Sequence, residues 1–401
     1  WDCTHTQNKG WINLLTPDDA SFAVCLANSG YYNGYFGKWH VESTQQLNRF
    51  GWHEFDITCG GVKTQPDHDS ILAVKTRGYK DCILAGYDSS MPLPQHPAFN
   101  KGIDFIRRMT KDNKKPFCCF ISTFEPHDPY IPPREFLKHY DIKNIPLSPS
   151  LYDDLKGKPE IIKRMHSLWK DMTENDWKYL RAAHWAMISF LDSEVGRIIS
   201  VLKETGKYDN TVIVLTSDHG DLLGAHGLPT KGVGTSYEEV YNIPLIIRVP
   251  ELNNGVENSS DVISLVDIAP TLLDLCGASK IPDAHGRSLI PILKRKYNPA
   301  EWRDAYAEFY GQRFVYSQRI LWHDSWKYVF NPGGIDELYN LADDPYEMKN
   351  LAHDPAQREC LESMCRRMWR KIREIGDMSL FNTHYTILRT APVGPLEADI
   401  E

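Results

Sequence analysis

The stretch VIVLTSDHGDLLGAHGLPTKG, residues 212–232, decides how the rest of the chain is read. It opens with five apolar or β-branched residues, the composition of a short strand inside a sheet. The run breaks at Asp218-His219-Gly220. Lys231 follows after a segment punctuated by Gly224, Gly227 and Pro229, residue types that fold a chain back. Asp218 and His219 together offer an oxygen and a nitrogen to a divalent ion. Lys231 offers a positive charge to an anion. Taken alone, Asp218 reads equally well as a helix cap after a strand.

Working outward, the pattern around this stretch alternates between strands and helices. Thr16-Pro17-Asp18-Asp19 predicts a helix start running to about Asn28, with Gly30 as its stop. YYNGYF (31–36) reads as a short strand leading into Gly37-Lys38-Trp39-His40. Residues 51–95 are rich in Gly, Asp and Pro and predict loop with little regular structure. Residues 97–110 carry helical spacing. PFCCFISTF (116–124) is a continuous apolar run, as expected for a strand buried on both faces. Thr173-Glu174-Asn175-Asp176 is a capping box that opens a long helix to about Glu204. IPLIIRV (243–249) is a further buried-type strand, and LVDIAPTLLDLCG (265–277) a helix stopped by Gly277.

This alternation predicts an α/β fold, a large mixed and mostly parallel sheet sandwiched by helices. The texture changes near residue 296. Residues 303–341 alternate, are rich in aromatics and contain an Asn-Pro-Gly-Gly turn, and a helix follows at about 356–375. The expected division is a catalytic α/β domain over 1–295 and a C-terminal subdomain over 296–401, an antiparallel sheet with a packed helix.

Ligands of open α/β sheets gather beyond the carboxyl ends of the strands. Three polar clusters fall at such ends: Lys38 with His40, His127, and Asp218 with His219. Singly, Lys38 reads as a solvated turn residue and His127 as a loop histidine between prolines. Together with Lys231 they make a site for a tetrahedral oxyanion, built to stabilise charge on its oxygens and to protonate a leaving group.

Composition narrows the alternatives. A net charge of −8 argues against sequence-independent nucleic-acid binding. No apolar run approaches the roughly 20 residues of a membrane span. The nine cysteines show no paired zinc spacing. Cys118, Cys119 and Cys276 read as buried thiols, while Cys3, Cys59 and Cys82 lie in loop-like sequence where they could pair.

Seven blocks in order resemble the sulfatases of the alkaline phosphatase superfamily: NSGYYNGYFGKWH, FEPHDPY, TSDHGDLLGAHGLPTKG, NIPLIIRVP, LVDIAPTLLDLCGA, HGRSLIPIL and ELYNLADDPYEMKNLAHDP. The resemblance implies an alkaline phosphatase-like fold and hydrolysis of a sulfuric ester, on a sulfated carbohydrate or another small molecule. It implies that Asp218 and His219 hold a divalent metal, usually calcium in the family. It further implies that Lys38 and Lys231 grip the sulfate, that His40 orients the nucleophile, and that His127 serves the leaving group. His226 reads equally as a loop or supporting residue. Family members are mostly exported, to the periplasm, the medium or the lysosome. Oligomeric state is not legible.

Two departures shape the expectation. His219 stands where many sulfatases have Asn, which leaves room for manganese or zinc and keeps a phosphonate or phosphodiester substrate as an alternative. The family nucleophile, a formylglycine made from Cys or Ser in C/S-x-P/A-S-R, has no counterpart here, and neither does the first Asp-Asp metal pair. The expectation is an N-terminally truncated chain with negligible activity by itself, or a non-catalytic binding relative if that form is native.

Overall fold

The computed structural model describes residues 20–41, 45–76, 80–91, 95–112, 115–252, 261–312, 314–377 and 391–395, with residues 78, 259 and 380. The first helix, α1 (Phe22–Asn28), begins at Ser21, whose hydroxyl accepts the Val24 N–H. The helix start expected at Thr16 thus moves to Ser21, and Thr16–Asp19 lie outside the described residues.

β1 (Tyr32–Gly37) is the middle strand of a three-stranded parallel sheet, between β2 (Glu54–Asp56) and β5 (Phe117–Ser122). β3 (Leu72–Lys75) and β4 (Asp81–Ala85) form an antiparallel pair between them in sequence. Residues 51–95 are therefore more ordered than their composition predicts. Strands of 3 to 5 residues are too short to show a period.

α2 (Pro97–Asp112) lies on this sheet. Its Ile103, Phe105 and Ile106 pack with Phe36 of β1, and with Val201 and Leu202 of a long helix introduced below. α3 (Arg134–Leu137) and α4 (Glu160–His166) are short. α5 (Glu174–Glu204) runs 31 residues from the predicted capping box, Thr173 with Asp176, and its apolar stripe closes the core over α2, β4 and the Tyr130 region. β5 departs from expectation. It is an edge strand among the described residues, and Phe120 stays 39% exposed although stacked on Tyr35.

β6 (Ile213–Thr216) pairs antiparallel with β7 (Leu245–Arg248), and α6 (Glu238–Tyr241) lies between them in sequence. α7 (Ile268–Leu275) packs Leu273 on Cys25 and Leu26 of α1, and the short α8 (Ile290–Leu293) follows. The layered α/β frame is the expected one. Next comes a four-stranded antiparallel sheet of β8 (Asp304–Gln312), β9 (Phe314–His323), β10 (Trp326–Phe330) and β11 (Glu337–Asn340). α9 (Arg358–Glu374) covers it through Met364, Met368, Trp369 and Ile372.

Buried charge joins this sheet to the rest. Lys327 of β10 meets Glu347 at 2.5 Å and Glu238 of α6 at 3.0 Å, with its own side chain fully buried. Lys158 donates to the Tyr339 hydroxyl at 2.8 Å and lies 3.8 Å from Asp153. The cysteines described, among them Cys59 and Cys82, are free thiols, so neither forms the disulfide that loop-like sequence allowed. Cys3 lies outside the described residues. No helix among the described residues is long and apolar enough to cross a membrane.

Candidate active site

Glycine brings two segments together at the strand ends. Gly37 has φ +119°, and a Cβ there would lie 1.7 Å from the Ser122 carbonyl oxygen. That close approach lets the next residue, Lys38, donate its N–H to the same carbonyl at 2.9 Å. A Cβ on Gly220 would lie 2.0 Å from the Glu239 carbonyl, so the Asp-His-Gly turn also needs its glycine.

His127 lies beyond β5, between two cis X-Pro bonds, Glu125–Pro126 and Asp128–Pro129. Its Nδ1–H donates to the Asp128 carbonyl at 2.7 Å, with the Asp128 carboxylate 3.1 Å away. That fixes the tautomer and leaves Nε2 as the acceptor. Nε2 receives the Lys231 ammonium at 2.8 Å.

Asp218 and His219 follow β6. His219 donates Nδ1–H to the Gly220 carbonyl at 2.8 Å, and its Nε2 faces Asp218 Oδ2 at 3.6 Å. Burial lowers the His219 pKa, with the Lys231 charge adding to it and Asp218 opposing. The ring is kept neutral, the state a metal ligand needs. The Asp218 side chain is 70% exposed. The pair could offer one oxygen and one nitrogen to a divalent ion. Among the described residues no third His, Cys, Asp or Glu joins them.

Lys38 belongs to the same electrostatic cluster. Burial lowers its pKa, Asp218 opposes, and Lys231 lowers it further. Its ammonium also sits 5.2 Å from the Phe124 ring centre. His40, two residues on, is exposed.

Two residues that hold this cluster together were not legible in advance. Asp221 accepts the Tyr130 hydroxyl and the Lys231 N–H, each at 2.6 Å. Burial raises its pKa, against both hydrogen bonds. The spacing Asp218-x-x-Asp221 was the one available signal; nothing marked Tyr130. His226 lies elsewhere. It is fully buried, stacks on Tyr237 at 3.7 Å and donates Nδ1–H to Asp153 at 2.7 Å.

The model of the family described as Sulfatase matches residues 3–278, more than half of the chain. The chain belongs to the sulfatase family. A second model, N-sulphoglucosamine sulphohydrolase, C-terminal, matches residues 224–374 of this sulfatase. It is 28% identical over 365 residues to the sulfatase YidJ of Escherichia coli (strain K12), covering 87% of this chain and 71% of that one. With the N-acetylglucosamine-6-O-sulfatase of Bacteroides thetaiotaomicron it shares 27% identity over 405 residues, covering 83% and 69%. Its fold matches the phosphonate monoester hydrolase of Silicibacter pomeroyi with a TM-score of 0.71 at 23% identity, over 94% of this chain and 86% of that one. This sulfatase is a sulfuric ester hydrolase of the alkaline phosphatase superfamily.

Proposed function

We propose that this site binds the sulfate group of a small-molecule or glycan sulfate ester and assists its S–O cleavage. The observation that carries the reading is the meeting of Lys231 with His127 beside Lys38, Asp218 and His219. Lys38 and Lys231 place two ammonium groups against sulfate oxygens, where charge grows in the transition state. His127 serves the leaving oxygen with a proton that first passes from the Lys231 ammonium to the accepting Nε2, leaving Lys231 neutral until solvent reprotonates it. His40 would orient the nucleophile that the resemblance implies. A divalent ion held by Asp218 and His219, calcium or, given the imidazole, manganese or zinc, would polarise bound oxygens. The formylglycine nucleophile that the resemblance implies is not among these 401 residues. The roles read for this chain's own residues are sulfate binding and service to the leaving group. Division at residues 295/296 and export from the cytoplasm belong to the same reading.

A phosphoryl ester is the second reading, favoured by His219 in the place of an oxygen donor. The test is calorimetric titration of the chain with inorganic sulfate and with methylphosphonate, with and without Mn²⁺. Sulfate binding that strengthens with Mn²⁺ and loses that gain in Asp218→Ala supports the first reading. Tighter methylphosphonate binding supports the second. Sulfate binding unchanged in a Lys38→Ala, Lys231→Ala double variant refutes the assignment of the lysines.

A further inference from the structure

Glu125 stands two residues before His127, and its carboxylate is held from two sides. Oε1 accepts the Val62 N–H at 2.8 Å, and Oε2 lies 2.9 Å from His96 Nε2. The His96 ring accepts the Ala98 N–H on Nδ1 at 3.1 Å, so its proton sits on Nε2 and is donated to Glu125. His96 is fully buried, lies against Phe99 and Phe190, and caps α2 through that Ala98 bond. The Glu125 side chain is only 11% exposed. Two donors therefore converge on one buried carboxylate. Only a group that accepts at both ends fits there, since an amide would turn its NH₂ toward one donor or the other.

These bonds tie separate parts of the site together. The segment that carries Val62 is bound a second time, by the Phe124 N–H donating to the Gly60 carbonyl at 2.6 Å. Gly60 in turn lies so close to Lys38 that a Cβ there would come within 2.5 Å of the Lys38 backbone nitrogen. On the other side, the His127 N–H donates to the Phe124 carbonyl at 2.8 Å, and the Thr123 hydroxyl donates to the Glu125 carbonyl at 2.7 Å. The backbone of Lys38 and the turn that carries His127 are thus joined through residues 60–62. Apolar side chains would fill the same space without burying a carboxylate, but only the directed bonds fix how the two segments meet. We propose that Glu125 and His96 are positioning residues: neither meets the ester, and together they lock residues 60–62 to the 124–127 turn, holding His127 Nε2 at Lys231. The proposal rests on the sulfate-ester reading above and names two residues that act on it through His127.

The test pairs imidazole ¹⁵N spectra of the whole chain with calorimetric titration by inorganic sulfate. Glu125→Gln removes one of the two acceptors at nearly constant volume. His96→Asn keeps a cap for α2 but is too short to reach Glu125. Both should move the His127 Nε2 resonance away from its Lys231-bonded position. Both should also weaken sulfate binding about fivefold or more, as expected of residues coupled in one hydrogen-bond network. His96→Gln, whose amide reaches Glu125, should recover most of both effects. A merely structural role predicts lower stability in urea with the His127 resonance and the sulfate affinity of the parent. That pattern overturns the inference. So does a loss of sulfate affinity with an unmoved His127 resonance, which would put Glu125 on the ligand itself. A parent chain that binds no inorganic sulfate overturns the sulfate reading, while the ¹⁵N comparison still decides the positioning role.

Discussion

Lys231 Nζ donates to His127 Nε2 at 2.8 Å, joining residues 104 positions apart. Lys231 is thereby held at the place where His127 would meet a leaving oxygen. Replacing it with Met removes a charge-assisted donor worth about 1.5–3 kcal/mol. Inorganic sulfate affinity in Lys231→Met should fall roughly 10- to 100-fold. Calorimetry checks this, and a change under twofold contradicts the assignment. In the unaltered chain, imidazole ¹⁵N resonances should show His127 as the Nδ1–H tautomer.

Tyr130 and Asp221 hold that contact in register. Asp221 takes the Lys231 N–H, and Tyr130 stands three residues beyond His127. Tyr130→Phe keeps the ring in the core and removes only the hydroxyl. The expected loss is about 1–2 kcal/mol in urea unfolding, with sulfate affinity lowered severalfold. A stability loss with unaltered sulfate binding would make Tyr130 purely architectural.

His226 should make the fold sensitive to acid. Burial pushes its pKa down to about 4, against the Asp153 carboxylate and helped by the Lys158 charge. In the unfolded chain the ring takes up a proton below about pH 6.5. Stability present at neutral pH is therefore lost as pH falls from about 6.5 to about 4. Between pH 7 and pH 5 this residue alone should remove roughly 2 kcal/mol. Comparing urea unfolding of the chain and of His226→Gln at both pH values isolates it. An identical pH slope in the two proteins rules it out.

Lys327 carries the junction between the C-terminal sheet and α6. With Glu347 and Glu238 as partners, its ammonium is stabilised and its pKa raised despite burial, the largest influence, which acts to lower it. Lys327→Met strands two carboxylates and should cost about 3–5 kcal/mol. Adding Glu347→Gln should recover part of that. Chemical denaturation reads both, and a single variant as stable as the parent would show the network to be dispensable.

The sequence by itself determined many of the local elements and pointed to candidate residues at the strand ends. The capping box at Thr173 and the helical spacing over residues 97–110 reappear as α5 and α2 because both are local, periodic signals. Lys38, His127 and Asp218-His219 were legible because each breaks an apolar run where a strand ends. Tertiary structure alone decided which of them meet. Lys231 could fold back to several places, and Asp221 and Tyr130, 91 residues apart, bring it to His127. His226, in the same motif, is instead drawn into the core by Asp153 and Tyr237. The short strands of residues 54–85 and the exposed flank of β5 were equally illegible. Pairing and burial depend on what lies across the sheet, which no local period encodes.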